Sequence, residues 1–260
     1  MSANLKSLAP ASARERVSKA EWAVRVDLAA AYQLAALFRW TDLIYTHFSA
    51  RVPDSEHFLI NPYGLMFDEI TASNLVTIDP AGKVVDDPTG MGYNEAGFVI
   101  HGCVHQARPE IRCVIHTHTR AGVAVSAQKC GLLPLSQHAT RVIAQVTYHD
   151  YEGIALELDE RTRLARDLGP ASKAMILRNH GLLTAGESVR EAFELMYYLD
   201  CACQIQVDAL AGGMENALLM SAQAARTAAE QFERPDRPSV HKDWPALLRL
   251  LDRKGIGYRD

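Results

Sequence analysis

A chain of 260 residues with 48% hydrophobic side chains can bury a large core, as one big domain or two small ones. Its formal charge of −4 is mild and spread along the chain, with no Lys/Arg cluster, which argues against nucleic acid or anionic lipid as a partner. Met1 to Arg16 has no apolar signal core, and no stretch of about 18 apolar residues spans a membrane. The five cysteines (Cys103, Cys113, Cys130, Cys201, Cys203) lack Cys-x-x-Cys spacing and read as reduced, buried thiols of a cytoplasmic protein.

Residues 1–18 read as a loosely ordered leader, and 19–260 as a single domain. Ser18 caps a predicted helix from Lys19 to about Phe38, with Trp22, Val26, Ala30, Leu34 and Leu37 on one stripe. Short strands are predicted over Tyr45–Arg51 and His57–Ile60, ending at Asn61-Pro62-Tyr63-Gly64. A short helix over Asp68–Asn74 and strands over Leu75–Ile78 and Lys83–Val85 follow. Asp86 to Asn94 carries Pro88, Gly90 and Gly92 and reads as a loop. Glu95 to Arg108 is an amphipathic helix that Pro109 ends. In it, His101 and His105 lie one turn apart and read as packing or capping residues. Beyond the next strand, a helix runs from Arg120 to about Cys130, a strand over Ala144–Thr147 and a helix over Glu160–Leu168. Lys173–Leu177 pairs with Gly181–Ala185, and Ser188 caps a long core helix to about Leu210. Helices over Ser221–Phe232 and Trp244–Lys254 complete the chain. Helices mixed with short strands in no regular β-α-β series suggest an α/β fold with a mainly antiparallel sheet covered by helices on its faces.

The most informative stretch is Ile115-His116-Thr117-His118-Thr119-Arg120. Cys113-Val114-Ile115 is a buried strand, and side chains alternate along it, so His116 and His118 share one face about 7 Å apart. Thr119 then caps the next helix. Two imidazoles form half of a catalytic metal site, which needs three protein ligands and an open position. Two other stretches hold isolated polar residues in apolar surroundings: Arg178-Asn179-His180-Gly181 and Asn94-Glu95-Ala96-Gly97. A His, His, His, Glu set would bind Zn²⁺, Mn²⁺ or Fe²⁺ and leave room for substrate oxygens.

Together with Ala107 to His118, Cys130 to Leu135, Leu177 to Leu182 and Gly186 to Val189, these runs resemble the class II aldolase/adducin family, and its adducin-type branch most closely. The resemblance implies a three-layer α/β/α fold and a divalent metal on His116, His118 and His180, with zinc the first choice and manganese or iron the alternatives. It also implies a homotetramer with active sites between subunits, and the long apolar helices suggest more hydrophobic surface than the sheet can cover. In the family's phospho-sugar aldolases a glutamate joins the metal or serves as acid/base. Glu95 is the match here, two residues further from the histidines than in those enzymes. By the same resemblance His138 falls near a proton-donating tyrosine, and its pKa near neutrality suits a general acid. Tyr258 would reach a neighbouring subunit's site. The family's phosphate-binding positions correspond to His47, Asn61, Gly64 and Asn94. Rings and Pro62 stand there in place of backbone N–H groups and hydroxyls, which suggests a small unphosphorylated substrate.

A cation on three neutral imidazoles polarises a carbonyl and stabilises the enolate formed when a bond beside it breaks, while Glu95 would move the proton. The expected activity is therefore a metal-dependent, aldolase-type lyase acting on a small hydroxy- or keto-compound. An Fe²⁺-dependent oxidative enzyme and a non-catalytic, adducin-like interaction module are the alternatives.

Overall fold

The computed structural model describes residues 13–153, 158–234 and 242–260. The strands are β1 (His47–Arg51), β2 (Phe58–Ile60), β3 (Val76–Ile78), β4 (Val84–Asp86), β5 (Cys113–Thr117), β6 (Val146–His149), β7 (Ala174–Leu177) and β8 (Gly181–Gly186). They form one sheet in the order β4-β3-β2-β1-β5-β8-β7-β6. All neighbours are antiparallel except β6 and β7, whose parallel pairing requires the crossover helix between them.

Among the described residues the helices are α1 (Ala13–Arg16), α2 (Lys19–Leu37), α3 (Glu95–Ala107), α4 (Arg120–Ser126), α5 (Gln137–Thr140), α6 (Leu158–Leu168), α7 (Val189–Leu210), α8 (Ala222–Glu233) and α9 (Asp243–Arg253). They cover both faces of the sheet. On one, Leu28 and Leu34 of α2, Phe193 and Met196 of α7 and Leu251 of α9 bury with Phe48, Ala50, Ile115, Ile176 and Leu182. On the other, Ile100 and Val104 of α3 and Leu164 and Leu168 of α6 bury with Val114, Met175, Leu183 and Ala185. Strand neighbours thus divide between two cores, as a pleated strand buried on both sides must. The result is the expected three-layer α/β/α arrangement with a mainly antiparallel sheet.

Local differences from the sequence expectation have local causes. The helix after Thr119 stops at Ser126 rather than near Cys130, where Gly131 takes φ 65° to open a turn. Ser136 accepts from Ala139 N to start α5, which hydrophobic periodicity does not reveal in so short a piece. The strand expected at Ala144 begins at Val146, behind a 3₁₀ turn over Ile143–Gln145. The helix expected over Asp68–Asn74 is only a 3₁₀ turn, Phe67–Glu69. Cys103, Cys113 and Cys203 are buried as expected, but Cys130 is exposed and Cys201 half-buried. Of the expected leader, residues 1–12 lie outside the described residues. Ala13–Arg16 forms one helical turn, with Ala13 buried and Arg16 paired to Asp86 at 3.0 Å.

Candidate metal centre

Buried apolar residues carry β5 through the sheet and deliver His116 to its carboxyl end on the α3 face. There His116 pairs in register with His47 of β1 and Leu183 of β8. Its Nδ1 lies 2.9 Å from Leu182 O, an acceptor only, so Nδ1 carries the proton and the Nε2 lone pair is free. His118 follows one residue beyond the strand, before Thr119 accepts from Gly122 N to cap α4. Its Nδ1 lies 2.8 Å from Asp42 Oδ2, so Nδ1 donates and Nε2 is turned inward. His180 closes the β7–β8 turn, where Asn179 adopts φ 53°. The next residue is glycine for a packing reason: a Cβ on Gly181 would lie 2.4 Å from Thr117 O.

One ligand nitrogen from each of His116, His118 and His180 lies within 4.8 Å of the others. Burial, then the neighbouring His180, His118 and His47, holds the His116 pKa well below its ordinary value. Burial, followed by His118 and His47, brings His180 down to about 4. Both are therefore neutral near pH 7, the state a metal ligand requires. His116 Nε2 and His118 Nε2 stand 2.8 Å apart. With both Nδ1 atoms donating elsewhere, the two Nε2 atoms converge on one point, which suits a bound cation. A proton would use only these two nitrogens. The third, on His180, is what a divalent metal adds, so the donor set fits a metal of the zinc type, with Leu182 O and Asp42 accepting from the outer nitrogens of two ligand rings. A cavity of about 320 Å³ opens on the trio, lined also by Asp42, Tyr45, His47, Asn94, Gly97 and Tyr151.

The sequence model described as the Class II Aldolase and Adducin N-terminal domain matches residues 26–207. The chain belongs to this family. It is 50% identical over 255 residues to a Pseudomonas aeruginosa protein provisionally assigned to aldolase class 2, covering 96% of this chain and 97% of that one. It is also 45% identical to rat alpha-adducin over 93% of this chain, which corresponds to 34% of the adducin. Among solved structures, an aldolase II superfamily protein from Pseudomonas syringae aligns with TM-score 0.91 and 55% identity, covering 96% of this chain and all (100%) of that one. An L-fuculose 1-phosphate aldolase from Glaciozyma antarctica aligns with TM-score 0.81 and 26% identity, over 92% of this chain and 93% of its own.

Against the class II aldolase pattern, the remaining expected residues divide. His47 and Asn94 line the cavity; Asn94 also accepts from Gly97 N as the N-cap of α3 and donates to Tyr45 O at 3.4 Å. Glu95 does not join them. It is exposed on the first turn of α3 and belongs to neither the cavity lining nor the ligand cluster. Ile100 and Val104 pack into the core and set the phase of α3, which leaves Glu95 about 200° of helix rotation from the cavity-lining Gly97. Gly97 faces the site instead, and a Cβ there would fall 2.4 Å from the His47 ring, which fills that space. Asn61 is buried with its Oδ1 accepting from Tyr32 O–H at 2.8 Å, and Gly64 is exposed at φ 125°; neither lines the cavity. His138 is exposed on α5, facing Tyr198, on the opposite layer of the fold. Tyr258 is a core residue, fully buried, with its O–H donating to Asp252 at 3.2 Å, so its hydroxyl is engaged within the chain and lies outside the cavity lining.

His101 and His105 are buried packing residues as expected, yet they also form a chain. His105 Nδ1–H donates to Ile111 O, Ser49 donates to His105 Nε2 at 2.9 Å, and His101 Nδ1–H donates to Ser49 Oγ at 2.7 Å. The His101 ring then lies 4.4 Å from that of His47, tilted by 41° to it, under the site. Asp42, Tyr45 and Tyr151 escape sequence reasoning because loops bring them in from 76, 73 and 33 residues away from His118. No local spacing marks them.

Proposed function

We propose that this protein is a divalent-metal-dependent lyase of the aldolase type, cleaving a carbon–carbon bond beside the carbonyl of a small, unphosphorylated hydroxy- or keto-compound. The observation that carries this reading is the trio of converging imidazoles at the floor of a 320 Å³ cavity. His116, His118 and His180 would hold the metal, zinc in the first instance, and the bound metal would supply Lewis acidity at the substrate carbonyl. Leu182 O and Asp42 keep two of the ligand rings oriented. Tyr151, whose ring centre is 6.2 Å from that of His180, and Tyr45 on the rim have phenol groups able to pass a proton to or from a substrate in the cavity. His47 and Asn94 offer hydrogen bonds to substrate oxygens. Asn61 is committed to Tyr32, and Gly64 lies outside the lining, which supports a substrate without a phosphate. Free, partly buried thiols support a cytoplasmic location, and no helix among the described residues is long and apolar enough to cross a membrane. A homotetramer with residues 19–260 as one domain is part of the same reading.

One observation favours a second reading, a non-catalytic module like the adducin head. The glutamate expected at the metal points away from it, and Gly97 with the His47 ring takes its place. Metal analysis of purified wild type and His116→Ala, joined to a lyase screen over sugar phosphates, hydroxy-keto acids and aromatic acids, separates the two. A stoichiometric metal lost in the variant, with turnover of an unphosphorylated compound, is expected. Full metal in His116→Ala would reject the site, and a metal-loaded protein inactive on every class would favour the module.

A further inference from the structure

The cavity over the histidines sorts its walls by polarity. At its floor His47 is 3% exposed, and neither ring nitrogen has a hydrogen-bond partner; Gly97 O and Tyr45 O lie beside the ring but out of hydrogen-bond geometry. A buried imidazole left in this way costs stability unless something in the cavity meets it. The other polar groups of the floor are largely engaged. Asp42 accepts from His118, and Asn94 accepts from Gly97 N and donates to Tyr45 O, which leaves it one amide hydrogen. Ile100, Gly97 and Gly153 add no hydrogen-bonding side chain.

Two phenol rings make the upper walls. Tyr45 leads into β1 and Tyr151 follows β6, and these strands lie on opposite sides of β5 in the sheet. The rings therefore stand on either side of the trio, at the sheet end that carries it. Both are about half exposed. The Tyr151 ring meets that of His180 at 70°, 6.2 Å away, and Tyr63 continues the wall outward 6.5 Å from Tyr45. No Lys or Arg lines the cavity among the described residues, and Arg178, two residues before His180, is held by Gln128 O and the Tyr148 ring. A sugar-like chain, with a hydroxyl on each carbon, would lose more contacts with water than these walls replace, and a second anionic group would meet no counter-charge. An aryl or alkyl group carries no such cost.

We infer that the substrate of this cavity has a single oxygen-bearing head at the histidine floor and an apolar tail, aryl or branched alkyl, that lies between Tyr45 and Tyr151. The inference rests on the reading of this cavity as the substrate site, but its test is binding and needs no turnover.

The probes are four acids that share a 2-hydroxycarboxylate head: 3-phenyllactate, lactate without a tail, threonate with a polyhydroxylated tail, and 3-phosphoglycerate with a phosphate. Each is titrated calorimetrically into the zinc-loaded full chain. Phenyllactate should bind about tenfold more tightly than each of the others. Tyr45→Ala and Tyr151→Ala should each cut that advantage about threefold or more and leave lactate binding unchanged. Both positions are half exposed, and circular dichroism verifies that each variant is folded. Threonate or 3-phosphoglycerate binding as tightly as phenyllactate, an advantage over lactate that is absent or survives in both variants, or no saturation by about 10 mM phenyllactate would overturn the inference. Sedimentation velocity covers the other use of these rings. A changed oligomer mass in Tyr45→Ala with selectivity intact would assign the ring to a subunit contact and end the tail reading. The phenyllactate preference without turnover of any compound would sink the lyase reading alone. Turnover of tailless compounds without that preference would sink this inference alone.

Discussion

The metal ligands depend on side chains that never touch the metal. Asp42 accepts from His118 Nδ1 at 2.8 Å although its own carboxylate is nearly half exposed. Asp42→Asn retains the shape but loses the charge that holds the ring, and such outer partners are worth about 10–100-fold in metal affinity. Competition with a chromophoric chelator measures this directly, and an unchanged affinity would remove Asp42 from the site. Glu95→Gln, by contrast, should leave metal content and turnover as they are, because its side chain points to solvent. A large fall in turnover with the metal retained would restore Glu95 as the base. Gly97→Ala acts from the other side, since the added methyl overlaps three His47 ring atoms at 2.4–2.6 Å. Its expected cost is about 1–3 kcal/mol in urea denaturation, as for other overpacked interiors.

At the scale of elements, the site is the meeting of a strand end, a turn and a helix start, each fixed by its own contacts. Asn94 fastens the amino end of α3 through Gly97 N and reaches Tyr45 O, so one side chain ties the helix to the opposite rim of the cavity. Elsewhere α2 is held by a charge in its buried face. Arg25 is 1% exposed and donates to Glu21, to Ala72 O and Leu75 O, and to Thr77 Oγ1 at 2.7 Å. Those carbonyls belong to the loop that enters β3, so the guanidinium joins the first long helix to the far edge of the sheet. Arg25→Leu keeps bulk but strands these acceptors and Glu21. Calorimetry should show a loss of about 3–5 kcal/mol, the range for removing one partner of a buried pair.

For the whole molecule, the buried histidines make stability depend on pH in a defined direction. Burial lowers His47 to about 4, and burial together with Arg51 lowers His105 to about 3, both from an ordinary 6.5. The unfolded chain therefore binds more protons than the native one between pH 6.5 and these values. Stability is fully present above pH 6.5 and falls as the pH drops toward 3–4. A group shifted this far contributes about 2 kcal/mol of loss between pH 6.5 and 5. Urea midpoints of metal-free protein at pH 7 and pH 5 should differ accordingly, and equal midpoints would mean the imidazoles are not buried neutral. Assembly is tested at the same scale. Tyr45 and Tyr151 stand more than half exposed, or at half, around the mouth of the cavity, a surface that neighbouring subunits of a tetramer would cover. Light scattering at micromolar concentration should return a four-chain mass, and a monomer would reject the assembly.

Short-range physics determined much of this protein from its sequence alone. The two-residue strand period placed His116 and His118 on one face, and Ser18, Asn94, Thr119 and Ser188 cap the helices they precede because each hydroxyl or amide serves a backbone N–H three residues on. The motifs from Asn94 to Val189 carried the family and, with it, the layered fold. What required the tertiary structure was whatever depended on rotation about a helix or on loops closing over long separations. The phase of α3 is set by packing Ile100 and Val104 into the core, and that packing turns Gly97 inward and Glu95 outward. Strand register, not spacing, set His47 against His116, and a loop after α2 brought Asp42 to His118 from 76 residues away. Such contacts arise from the packing of the entire chain, and no local pattern of residues encodes them.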